Sequence, residues 1–137
     1  MTTLTEYASF FNTDPANITA ELCAIPAIYA RELFLLAEAK VAHKNAKWQL
    51  SRIQARVEQF VRDTHSLDTK KPTEGAIATE CSMHPDVQAA DTALRAAEST
   101  YDDKTILIEA LGVKKDIVLA LAKYLASEAI SSRNTTA

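Results

Sequence analysis

Apolar residues set the reading of this chain. From Pro26 to about His65 they recur at heptad spacing, with Tyr29, Leu36, His43, Leu50 and Val57 on one line and Ala39, Ala46, Ile53 and Phe60 beside it. No Gly or Pro interrupts this stretch after Pro26, and a proline suits a helix's first turn. The spacing predicts one long helix whose stripe is buried against a partner helix. A second long helix is expected from Pro85 to about Ser131. There Val87, Leu94, Tyr101 and Ile108 repeat by sevens, flanked by Ala90, Ala97, Leu111, Val118 and Leu125, with Gly112 as a candidate bend.

Shorter elements fill the remainder. Leu4, Tyr7, Ala8 and Phe11 line one side of a short amphipathic turn. Asp14 is an N-cap candidate ahead of Pro15, opening a helix over about Pro15 to Cys23 that is expected to end before Pro26. Ser66 to Lys71 is polar and reads as a loop. A short helix is expected over about Thr73 to Ser82, with Ile77 and Cys81 on one face. The tail after Ser131 is expected to be disordered. The sum is an all-α chain. Its economical arrangement is an antiparallel hairpin of two long helices, with short N-terminal helices and the short helix at the turn. A single domain over residues 1–131 is expected. Val113, Ile117, Leu121 and Tyr124 widen the C-terminal stripe beyond what one partner helix covers, with Leu125 beside them. This points to oligomerisation through that helix.

Composition agrees. In 137 residues there are two Gly and four Pro, too few turn formers for a many-stranded sheet, and 47% of residues are hydrophobic. Cys23 and Cys81 make no disulfide framework, and the opening MTTLTEYASFF lacks the basic and apolar regions of a secretory signal. No stretch is apolar enough to span a membrane. The expectation is a cytoplasmic chain with reduced thiols.

Charge changes the picture. The net charge is -3, but Glu38 to Lys71 holds eight Lys/Arg against four Asp/Glu, and Pro72 to Asp103 one Arg against seven acids. At about 100° per residue, Lys40, Lys44, Lys47 and Arg62 share one azimuth, and Arg52 and Trp48 lie next to them. Trp48 points away from the apolar stripe. Lysine and arginine heads neutralise phosphates, and an exposed indole stacks on an unpaired base, so this face suits single-stranded nucleic acid. Lys70 and Lys71 extend it or simply make a polar loop. The alternative is a solvated lysine face whose Trp48 fills a subunit interface.

Enzyme chemistry finds no support. No Ser/His/Asp grouping, phosphate-cradling Gly loop or paired carboxylates in an apolar cleft is present. Cys81 and His84 form one possible metal-ligand pair with no second cluster, so no metal or cofactor is expected. His43 is expected to be a packed or interface histidine, and His65 and His84 to sit at helix ends.

Three strings bring a family into view: Glu21–Tyr29 (ELCAIPAIY), Ser51–Ala55 (SRIQA) and Asp86–Leu94 (DVQAADTAL). With the order of elements, they make residues 15–130 resemble the UvsY family of phage recombination mediators. The resemblance implies ring-like homo-oligomers held through C-terminal helices. It also implies single-strand binding without sequence preference, and help to a RecA-like recombinase in displacing a single-strand-binding protein. It carries DNA contact to Arg62 and, by proximity, to Arg56. Thr64 stands where the family can have a second basic residue. A phage scaffold-type assembly or adaptor protein is the alternative function. An inhibitor mimicking nucleic acid with its acidic run is a third.

Overall fold

The computed structural model describes residues 15–135, which are helical apart from the connections between helices, with no strand among them. The Leu4–Phe11 turn and the Asp14 cap lie outside these residues. A short turn at Pro15–Asn17 leads into α1 (Ile18–Thr64), followed by α2 (Glu74–Met83) and α3 (Pro85–Thr135). The expected tail from Ser131 is helical through Thr135. Helix α3 also continues through Gly112.

The expected break before Pro26 is absent: α1 runs through it. An interior proline removes one backbone hydrogen bond and crowds the preceding turn, costing about 3 kcal/mol. Pro26 itself is exposed. In the turns before it, Ile18 and Ile25 are buried with Val118, against Leu22, Leu121 and Leu125. Burying two such side chains contributes roughly 3–6 kcal/mol, which offsets the proline penalty and keeps the first turns helical.

Helix α2 begins where Thr73, in extended conformation, accepts a hydrogen bond from the Ala76 N–H at 3.2 Å. It ends at His84, held extended ahead of Pro85, which opens α3. The His84 Nδ1 accepts from the Asp86 N–H at 3.2 Å.

The chain divides into two compact units. The first joins α1 up to Ala37 with α3 from Asp102 onward. Its core holds Ile18, Ile25 and Val118, and Leu107 and Leu111 are also buried. Two ion pairs join the helices there, one buried and one partly buried. Glu32 meets Lys104 at 2.9 Å, and Glu21 meets Lys114 at 3.0 Å.

The second unit runs from Glu38 to Tyr101. Val57, Val61, Ile77 and Val87 form its core, packed by Leu50, Ile53 and Cys81. His43 stacks on Tyr101, ring centroids 5.7 Å apart, as a packed histidine of the stripe. Phe60 departs from the expected stripe and is 61% exposed. Val57 and Val61 take the contact with α2 and α3, leaving Phe60 edge-on to the His84 ring.

Candidate nucleic-acid interface

The candidate face belongs to the second unit and is carried by α1. Helical periodicity puts Lys40, Lys44 and Lys47 on one side, and all three are exposed. Arg52 and Arg56 are exposed as well, one and two turns beyond Trp48. None of these five cations makes an ion pair with a described residue. Their charge is therefore available to a ligand. Lys40 to Arg56 spans about 24 Å of helix at 1.5 Å per residue.

Trp48 is 58% exposed, as its azimuth predicts. The Arg52 guanidinium lies over the indole, 4.6 Å from the ring centroid. One turn separates the two, so the cation rests on the face of the ring and both stay at the surface. Val41, also exposed, lies one heptad before Trp48. The face is thus basic with an apolar line through it.

Arg62 is different. Its Nη1 and Nη2 donate to both oxygens of Glu74, at 3.1 and 2.8 Å. Its Nε and Nη2 also donate to Glu58 Oε1, at 3.1 and 2.9 Å. Hydrogen bonds to Glu74, then to Glu58, push the guanidinium further above its ordinary range. The same bonds from Arg62 pull the Glu74 carboxyl below its usual value. A candidate contact thus already has two carboxylates, one of them from α2.

Lys70 and Lys71 are exposed on the segment between α1 and α2. Lys71 borders a hollow of about 280 Å³ together with Arg62, His65 and Glu74, so the end of the basic track and the loop come to one place. His65 closes this corner. Its Nδ1 lies 2.6 Å from Asp68 and its Nε2 2.9 Å from Glu80. Hydrogen bonds to Asp68, then Glu80, raise its pKa above 6.5, because the imidazolium has a carboxylate for each N–H. Sequence spacing within α1 gives no sign of the Arg62–Glu74 or His65–Glu80 contacts. Both partners follow a loop whose direction periodicity does not specify.

The expected oligomer positions divide in two. Leu121 and Leu125 pack on the buried cluster of the first unit. Val113, Ile117 and Tyr124 are exposed, as is Ile106. With Ala110 and Ala120 these four follow the alternating spacing of four and three residues of a coiled-coil seam. Tyr124 also donates to Glu128 at 2.7 Å, which raises its phenol pKa.

Among the described residues no group of three or more His, Cys, Asp or Glu is placed to hold a metal ion. Cys23 and Cys81 are free thiols. No described helix is long and apolar enough to cross a membrane. Comparison with protein-family models, curated proteins and solved structures finds no match to the chain.

Proposed function

We propose that the chain is a non-enzymatic, cytoplasmic mediator of recombination that binds single-stranded DNA along the outer face of α1. In this reading it helps a RecA-like recombinase load on a strand covered by single-strand-binding protein. The observation that carries the proposal is the run of exposed cations from Lys40 to Arg56 without carboxylate partners among the described residues, with Trp48 exposed in its middle. Cations at helical spacing follow a phosphate backbone without reading bases, and the indole offers a stacking platform to any base. The resemblance to the UvsY family points the same way.

The proposal includes a hairpin of α1 and α3 with α2 at the turn, and a ring-like homo-oligomer. Within the first unit, Glu21 pairs with Lys114 and Glu32 with Lys104. Residue numbers rise on α1 as they fall on α3, which supports antiparallel packing. The exposed seam of Ile106, Val113, Ile117 and Tyr124 supports self-association. Several weak basic tracks in one assembly then add up by avidity.

A second reading, a helical assembly or adaptor protein that binds other proteins, is favoured by the same seam and by the apolar Val41–Trp48 line. Trp48 is the only tryptophan, so its fluorescence separates the two. Quenching by an unstructured oligonucleotide, reversed by salt, is expected of a strand site. Emission that changes only with protein concentration assigns Trp48 to a protein interface and overturns the proposal.

A further inference from the structure

We propose that α2 is a built-in competitor for the strand: Glu74 occupies the two-pronged edge of Arg62 that a DNA phosphate would take, and binding there displaces it. The inference rests on the reading of the α1 face as a single-strand site. A guanidinium presents the same pair of parallel N–H donors to a carboxylate and to a phosphate, so the two ligands exclude each other. Glu74 takes both prongs, at 3.1 and 2.8 Å, while Glu58 holds the Nε side and Nη2. Elsewhere the track from Lys40 to Arg56 has no such occupant among the described residues.

The contact is built to be lost. The Glu74 side chain is 80% exposed. It stands in the first turn of α2, and the rest of that helix has its own attachments. Ile77 is buried against Val57, Val61 and Val87, and Glu80 is held by His65. Releasing Glu74 therefore opens that edge of Arg62, with Glu58 still on the Nε side, without detaching α2. The ion pair lies at the surface, where such pairs are weak and phosphate has little to overcome. Lys71 borders the same hollow, so a phosphate that replaces Glu74 meets a second cation. The acid thereby raises the threshold for the end of the track: short or poorly held strands stop at Arg56, and a well-held strand extends to Arg62.

The test is anisotropy of a labelled unstructured oligonucleotide, titrated over a series of salt concentrations with wild type, Glu74→Gln, Glu98→Gln and the double variant Arg62→Ala/Glu74→Gln. Glu98→Gln removes an exposed acid of the same unit away from Arg62 and controls for net charge. Glu74→Gln is expected to bind roughly twofold to fivefold tighter. Its log–log salt slope is expected to steepen by about 0.7, one additional phosphate contact on a single strand. Both gains should vanish in the double variant and be absent from Glu98→Gln. If wild type binds with salt dependence and Glu74→Gln matches it, or Glu98→Gln gains as much, the competitor is overturned and the strand site stands. If no folded variant binds even at low salt, both are overturned.

Discussion

The two units use the same side chains in opposite ways. In the first, two lysines of α3 are almost fully buried, and each meets a carboxylate of α1 at about 3 Å. In the second, the lysines of α1 are exposed and make no ion pair with a described residue, and the unit's ion pairs, such as those around Arg62 and His65 and between Arg95 and Asp91, lie at the surface. A charge taken out of water is tolerated only with its partner, so the buried pairs fix which residues of α1 and α3 face each other. A charge left in water costs nothing to keep and remains available to a ligand. Two lysines of the first unit are thus held in pairs between α1 and α3, and the α1 lysines of the second are left open to a ligand.

The comparison breaks most readily at Glu32. Glu32→Gln takes from the buried Lys104 the carboxylate at 2.9 Å. It should destabilise the fold by about 3–5 kcal/mol in urea unfolding. Lys44→Gln on the exposed face should change stability by less than about 0.5 kcal/mol. Equal effects at the two sites would remove the distinction between the units.

Binding should divide the opposite way. Lys44→Ala with Lys47→Ala should lower the salt slope of oligonucleotide affinity by about 1.4, or 0.7 for each lost phosphate contact. Circular dichroism of that variant should match wild type.

A smaller effect is expected from pH. The His65 pKa is raised in the folded chain by Asp68 and Glu80. Its clamp therefore stabilises fully below the unfolded value of about 6.5 and is lost as pH rises through the higher folded value. Unfolding midpoints of wild type should fall between pH 6 and pH 8 relative to those of His65→Gln. Parallel pH profiles for the two proteins would show that His65 does not hold α2.

The smallest change sharpens the description of α3. A Cβ at Gly112 would meet nothing within 4 Å. Gly112→Ala should then stabilise by about 0.5–1 kcal/mol through backbone entropy alone, seen as a higher thermal midpoint. A loss of stability would mean that α3 bends or is covered there.

Much of this was legible in the heptad lines. The three helices, the packed His43 and the outward Trp48 all follow from spacing. Even the buried pairs left a trace. The α3 line of Ala90, Ala97, Leu111, Val118 and Leu125 skips one position, and Lys104 fills it. Glu32 stands seven residues after Ile25 and seven before Ala39, in line with both. A charge on a seam is a sign of a buried partner, and reading only apolar residues passes over it. The expected break before Pro26 follows a local rule that burial of Ile18 and Ile25 outweighs. The exposure of Phe60 and the carboxylate partners of Arg62 have another cause. Periodicity along α1 gives each residue's direction, but not the side on which α2 packs after a loop.

The most direct test of the strand site is the anisotropy of a labelled unstructured oligonucleotide titrated with the wild-type protein at low and moderate salt, beside a duplex of equal length. Tighter binding to the single strand is expected, weakening steeply as salt rises. A folded protein that binds neither nucleic acid at low salt would contradict it and assign the α1 face to protein assembly.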